Sequence, residues 1–442
     1  MKIKKLCLAL AAACAFGAGG AQAAPIEIQW WHALTGALAD QVNSIANKFN
    51  ASQSDYKVVP VFKGSYADTM TAAIAAYRSG KAPDIVQIFE VGTATMMAGG
   101  KAIRPVYEVM AQAHEKFDPN SYMPAVTSYY SDTKGRMVSM PFNSSTPVFF
   151  YNKDMFKKAG LDPNKPPKTW EEVEADALKL KDAGIACPYT SSWEVWVQLE
   201  NMSAWHNVPF ASKDNGFGGL DAKLEINNEV IVRHIAKLSS WAKSGLFVYP
   251  GRGNQGDAKF YGGDCAMSTA SSALYGHIKR NSKFAFGVSE LPYYPEVKGA
   301  PQNTIIGGAS LWVMGGKKPI EYKGVAKFFT FLSSPEIQAE WHQKTGYVPI
   351  TKAAYELTKK QGFYETNPGT DVAVKQLLLR NPTKSSKGVR LGYLPQIRDI
   401  IDEELEMVWA QKIGPKQALD DAVERGNVEL RKFERANKAG SK

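Results

Sequence analysis

Apolar positions in the first third of the chain alternate between strand-like runs and helical spacing. Ile26–Trp31 is a short apolar run, after which Leu38, Val42, Ile45 and Phe49 recur on one helical face. Lys57–Phe62 reads as a second strand. Tyr66–Tyr77 is an alanine-rich helix stopped by Gly80, and Asp84–Phe89 is an apolar third strand. Strands of this kind separated by helices predict a parallel sheet covered on both faces. Ligands of such sheets bind beyond the carboxyl ends of the strands, where His32, Tyr66 and Glu90 fall.

The alternation resumes after residue 141. Val148–Tyr151, Ala266–Thr269, Phe284–Leu291 and Gly307–Met314 read as strands, and Thr169 with Glu172 forms a capping box for a helix between them. From Pro335 onward the pattern is mostly helical, with a long stripe of Ile397, Ile401, Leu405 and Val408 before Gly414 and Pro415 separate two helices. A chain of 442 residues also exceeds a single core of about 250–300. The expectation is an α/β protein of two lobes, each a mainly parallel sheet flanked by helices, with a cleft between them. Lobe 1 would comprise 24–140 and 297–333, and lobe 2 would comprise 141–296 and 334–442. The hinge crossings would fall near 138–143, 291–297 and 332–336.

The first residues add a compartment. MKIKKLCLALAAACAFGAGGAQA has a lysine-rich start, an apolar middle and a small-residue ending, the pattern of a cleaved secretory signal with its cut after Ala23. A lipoprotein cut before Cys14 fits less well, because Ala11 stands where a larger aliphatic residue is wanted. The expected location is the bacterial periplasm. Loss of residues 1–23 removes three lysines and no acid, so the formal charge falls from +10 to +7. The basic residues are scattered among acids without a like-charge run, which argues against nucleic acid. Cys187 and Cys265 remain, and a disulfide and two buried thiols are equally compatible with their positions.

No catalytic template is present. The six histidines lack metal-ligand spacing, and neither a G-x-S-x-G elbow nor a P-loop occurs. GRGNQG at 251–256 matches G-x-G-x-x-G literally, but it follows Pro250 and precedes two glycines in DAKFYGGD, so it reads as a surface loop without a helix. An enzyme, a metal and a cofactor are therefore not expected.

Binding chemistry is better represented. Asn143, Ser144, Ser145 and Thr146 gather before an apolar strand, and Ser268, Thr269, Ser271 and Ser272 follow another. Such hydroxyls suit a phosphate at a helix N-terminus, and equally serve as N-caps. Arg398 sits in the first turn of its helix, where the macrodipole disfavours a cation by roughly 0.3–1 kcal/mol, so it either serves an anion, or is a solvated arginine or one paired with Asp402. Trp193 and Trp196 offer flat faces to a carbon chain or to an ammonium, or form a core pair. Gly307-Gly308 permits close backbone approach, and Tyr347 carries a donor hydroxyl. Glu90, at a strand end, either accepts from alcohols, in which case it belongs away from an anionic group, or serves as a structural acid at a helix N-terminus.

Several runs together carry a likeness: KAPDIVQIFEVGTATMMA, PFNSSTPVFFYNKDMFKKAGLDP, PPKTWEEV, FYGGDCAMSTASS, APQNTIIGGASLWVM, AEWHQKTGYVPITKAAY and LGYLPQIRDIIDEELEMVW. Over essentially the whole mature chain the sequence resembles the periplasmic receptors for sn-glycerol-3-phosphate, the solute-binding subunits of bacterial ABC importers. YNKDMFKKAGLDP and PPKTW mark the wider group of sugar receptors, and NSSTP, CAMSTASS and HQKTGYVPITKAAY mark the glycerol-phosphate branch. The resemblance implies the maltose-binding-like (type II) hinged fold. It implies a monomeric, non-catalytic receptor for glycerol-3-phosphate and glycerophosphodiesters such as glycerophosphocholine, which docks on a membrane permease. The implied ligand shell is Tyr66, Glu90, Ser145, Ser271, Gly308, Tyr347 and Arg398, with Trp193 and Trp196 lining the cleft. A receptor for an uncharged sugar is the alternative.

Overall fold

A computed structural model describes residues 24–438; the expected signal segment and its cleavage site lie outside the described residues. Ten strands are present: β1 (Ile26–His32), β2 (Tyr56–Phe62), β3 (Ile85–Phe89), β4 (Ile103–Arg104), β5 (Met140–Ser145), β6 (Pro147–Asn152), β7 (Cys187–Ser191), β8 (Cys265–Ser271), β9 (Phe286–Ser289) and β10 (Gly307–Met314). They form a larger sheet in the order β2-β1-β3-β10-β4, with β5 also on β10, and a smaller sheet in the order β7-β8-β6-β9.

The N-terminal alternation folds as its periodicity dictates. The helix Gly36–Ser52 buries Leu38, Val42, Ile45 and Phe49, and the helix Tyr66–Arg78 begins at a Ser65–Asp68 capping box. β1 runs parallel to β2 and β3. Pro60 is tolerated in β2 because that strand is the sheet edge, where a missing N–H breaks no central ladder.

Both sheets are mixed, which corrects the expectation of mainly parallel ones. β10 is antiparallel to β3, β4 and β5, and β6 is antiparallel to β8 and β9, whereas β7 and β8 are parallel. The cause is connectivity. β10 returns to the larger sheet after the chain has built the smaller one, so it enters without a βαβ crossover from its neighbours. The hydroxyl-rich stretch expected to precede a strand lies largely within strand β5, which is fully buried, and the chain changes sheet at Thr146, just beyond 138–143. It changes again between Ser289 and Gly307.

Cys187 and Cys265, register partners on parallel β7 and β8, are joined by a disulfide. The Thr169–Glu172 capping box is present at the helix Trp170–Asp182. Trp170 packs among Tyr189, His234, Trp241 and Tyr294 in the core beside the smaller sheet. Around the larger sheet, Trp30, Phe142, Phe328 and Trp341 interlock. The helix Leu394–Trp409 buries Ile397, Ile401, Leu405 and Val408 against the helix Pro415–Lys438. Each of those four aliphatic side chains contributes roughly 1.5–3 kcal/mol by leaving water. That packing holds the first turn of the helix, and Arg398 with it, in a fixed place.

Candidate functional site between the two sheets

The ends of several strands from both sheets converge on one cavity of about 380 Å³. Glu90 follows β3, Ser145 ends β5, Gly308 lies at the start of β10, and Ser271 ends β8. Trp193 and Trp196 follow β7, Tyr66 opens its helix, Tyr347 follows the helix Pro335–Thr345, and Arg398 reaches in from its own helix. All nine residues singled out from the sequence thus line the same space, at the carboxyl ends of β3, β5, β7 and β8.

Arg398 is the centre of the site's electrostatics. Its Nε and Nη2 donate to Glu200 at 2.7 and 2.8 Å, and Nη2 also donates to Glu90 at 2.6 Å. The three side chains are nearly removed from solvent, at 11% exposure for Arg398, 7% for Glu90 and 2% for Glu200. Burial works against the guanidinium's charge, but Glu200 and Glu90 outweigh it and hold Arg398 protonated above its ordinary range. Burial raises the Glu90 carboxyl above the usual carboxylate range, with Arg398 opposing and Glu200 adding to the rise. Nη1 makes no hydrogen bond to the described residues.

This geometry corrects two expectations. Glu90 and Arg398 do not occupy opposite ends of the cavity but touch each other. Arg398 is paired with Glu90 and Glu200 rather than with Asp402.

The hydroxyl clusters divide by role. Gln87 in central strand β3 donates from Nε2 to Asn143 Oδ1 at 2.8 Å, and Asn143 Nδ2 donates to the Tyr66 hydroxyl at 2.8 Å. Asn143 therefore positions Tyr66, whose ring also stacks on Phe89 at 5.5 Å. Of the stretch 143–146, only Ser145 lines the cavity. Thr269 is consumed by a buried network with Tyr189, Ser191 and Gln198. Ser271 reaches the cavity while its Oγ accepts from Ala273 N at 3.2 Å, so the capping and lining readings both hold for it. Burial pushes the Tyr347 hydroxyl up to about 12 and that of Tyr66 well above its ordinary value, so both remain protonated donors.

Gly307 and Gly308 are required by protein neighbours rather than by space for a ligand alone. A side chain on Gly307 would strike the Trp196 ring, and Gly308, at φ +87°, lies against the backbone oxygen of Asn143. The indole N–H of Trp196 is buried with no hydrogen-bond partner among the described residues. Trp193 sits in the left-handed region at φ 57°, and its ring centroid lies 6.4 Å from that of Tyr66.

Sequence reasoning missed Glu200, Asp257 and the role of the glycine loop. The residues after GRGNQG do form a helix, Gln255–Tyr261, because Gly262 and Gly263 fall beyond its end and Gly256 lets it pack against Ser191 and Ser192. No strand precedes the loop, so the dinucleotide motif stays excluded, yet Asn254 and Asp257 line the cavity. Arg252 of that loop pairs through two bonds with Glu406, at 2.8 and 2.7 Å, which ties it to the arginine-bearing helix. Glu200 lies in a buried helical segment, Val195–Asn201, and its isolated acid among apolar residues was the available signal.

Residues 44–370 match the family model described as bacterial extracellular solute-binding protein. The chain is 56% identical over 437 residues, 99% of each protein, to the sn-glycerol-3-phosphate-binding periplasmic protein UgpB of Yersinia pestis bv. Antiqua. Its fold is similar to that of UgpB from Mycobacterium tuberculosis in complex with glycerophosphocholine, with a TM-score of 0.78, 21% identity, and coverage of 93% of this chain and 99% of the other. It is also similar to maltose-bound MalE3 of T. maritima, with a TM-score of 0.74, 16% identity, and coverage of 91% and 99%. The chain belongs to the bacterial extracellular solute-binding proteins, and within them it groups with UgpB.

Proposed function

We propose that this protein is a periplasmic receptor that binds sn-glycerol-3-phosphate and glycerophosphodiesters such as glycerophosphocholine and delivers them to an ABC importer. The observation that carries the reading is 56% identity over 99% of the chain to a glycerol-3-phosphate-binding relative. It is supported by the nine matching residues meeting on one cavity. The protein works by binding and closure, without catalysis, as a monomer that presents its loaded form to the permease after export behind a cleaved signal at 1–23.

In this reading the phosphate meets Nη1 of Arg398 together with the hydroxyls of Ser145, Ser271, Tyr66 and Tyr347 and the Gly308 amide. Glycerol hydroxyls donate to Glu90, and the faces of Trp193 and Trp196 cover the carbon chain. The lobes in this reading are 24–140 with 297–333, and 141–296 with 334–442, and the change of sheet at Thr146, close to the first of these boundaries, supports a hinge there. Glu90 and Arg398 come from different lobes, so a ligand touching both favours the closed state by its differential affinity.

Arg398 carries two carboxylates, and that arrangement also fits a receptor for an uncharged sugar in which the arginine is structural. Calorimetric titration with glycerol-3-phosphate, glycerol and maltose separates the two. Saturable binding of glycerol-3-phosphate alone is expected, and tight binding of glycerol or maltose with no response to phosphate overturns the proposal.

A further inference from the structure

The charges on the cavity do not sum to a site built only for anions. Its wall carries one guanidinium, Arg398, and two carboxylates, Glu90 and Asp257. Arg398 is already matched by Glu90 and Glu200. Asp257 forms no ion pair, and its Oδ1 is buried with no hydrogen-bond partner among the described residues. A helix-start acid would normally accept from a backbone N–H in its own first turn; Asp257 makes no such bond. Burial pushes its carboxyl up to about 7, and the Ser192 hydroxyl beside it offsets only part of that rise. Glu194 lies within electrostatic reach, and burial, then the fields of Asp402, Asp257 and Glu406, raises its carboxyl well above the usual range. Arg252 answers Glu406, but Asp257 has no ion-pair partner among the described residues, and His277, the other basic side chain lining the cavity besides Arg398, is held below its ordinary value by burial and then by Arg280.

Aromatic faces line the same cavity as the carboxylate. Trp193 donates its backbone N–H to Gly253 in the loop that leads to Asp257, at 2.7 Å, and its ring packs over that glycine. Tyr66 and Phe62 line the same cavity. A quaternary ammonium has no N–H to donate, so it needs an electrostatic counter-charge and π faces rather than hydrogen-bond acceptors. An unpaired carboxylate in one cavity with indole and phenol rings supplies both.

We infer that Asp257 is the counter-ion for a cationic head group, so that the cavity selects glycerophosphodiesters ending in a quaternary ammonium over diesters with a neutral end. The inference rests on the proposed phosphoester reading and adds to it a second pole, with the phosphate at Arg398 and the ammonium between Asp257 and Trp193.

The test compares glycerophosphocholine, its carbon isostere with a 3,3-dimethylbutyl ester in place of choline, and glycerophosphoglycerol by calorimetry on the wild-type protein and on Asp257→Asn. Glycerophosphocholine should bind wild type at least tenfold more tightly than the isostere. Asp257→Asn should erase that ratio while leaving glycerophosphoglycerol within about twofold. Equal affinity of the two isosteres for wild type, or an equal loss of all three ligands in the variant, overturns the counter-ion role while the phosphoester reading stands. Failure of wild type to bind any of the three overturns both. The isostere comparison needs no variant, so it decides the matter even if Asp257→Asn fails to fold.

Discussion

Replacing Arg398 with alanine removes more than a ligand contact. Glu90 and Glu200 are 7% and 2% exposed and both are answered by this guanidinium, so the variant leaves two buried carboxylates without a cation. Breaking a buried ion pair from one side costs about 3–5 kcal/mol, because the remaining charge stays desolvated. At roughly 2–4 °C per kcal/mol for units of this size, melting should fall by roughly 10 °C. The loss should depend on pH in a stated direction. Burial already raises the Glu90 carboxyl and Arg398 opposes that rise, so in the variant its folded pKa lies further above the unfolded value and it contributes stability that is present below the unfolded pKa and lost as pH rises through the folded one. The deficit relative to wild type should therefore be large at pH 8 and shrink towards pH 5. Arg398→Met combined with Glu90→Gln and Glu200→Gln should recover most of the melting temperature, since neutral groups replace the charged triad together. Scanning calorimetry of the single and triple variants across pH makes the measurement. An Arg398→Ala protein that melts within 2 °C of wild type at pH 8 would refute the ion-triad argument.

Three further outcomes follow from the same structure. Reducing the Cys187–Cys265 bond, or replacing both with serine, should lower unfolding free energy by about 4.5 kcal/mol, from the entropy of a loop with a separation of 78 residues; a urea midpoint unchanged by reductant would contradict this. Asp402→Asn should stabilise the protein increasingly with pH. Burial raises that carboxyl from 3.8 to about 7, with Arg252 and Arg398 opposing, so wild type loses the corresponding stability as pH rises through 7. The gain over wild type should grow between about pH 4 and 7, reach at most about 4 kcal/mol and level off above pH 8, whereas a constant gap across pH 4–7 would sink the reading. Gly308→Ala should be poorly tolerated, because a Cβ there would meet the Asn143 oxygen at 1.8 Å in a left-handed backbone region; soluble variant protein with wild-type melting would refute that.

Much of this was legible in the sequence because it depends on local periodicity. The stripe of Ile397, Ile401, Leu405 and Val408 and the Thr169–Glu172 capping box are set by neighbours within a few residues, and they fold as read. The cavity wall was legible where a residue stood at a strand end, as Glu90 and Ser271 do. Strand direction was less accessible, because the antiparallel entry of β10 depends on a return from the other sheet that periodicity does not encode. The β5 stretch was not read as a strand because Asn143, Ser144, Ser145 and Thr146 are turn-prone residues. Pairing with β10 and burial in the larger sheet override that preference. The coupling of Arg398 to Glu90 and Glu200 spans 308 and 198 residues of chain, beyond any spacing argument, so the expected separation of positive and negative ends became a direct contact. Asp257 lay hidden for a related reason: the glycines after it were read as breaking a helix that in fact ends just before them.

The most direct test of the account is a crystal structure of the protein loaded with sn-glycerol-3-phosphate. The phosphorus should lie within hydrogen-bonding reach of Arg398 Nη1 through its oxygens, with Ser145, Ser271 and the Gly308 amide on the remaining oxygens and Glu90 facing the glycerol hydroxyls. Density for the ligand outside this cavity, or inside it with the phosphate turned away from Arg398, would contradict the account.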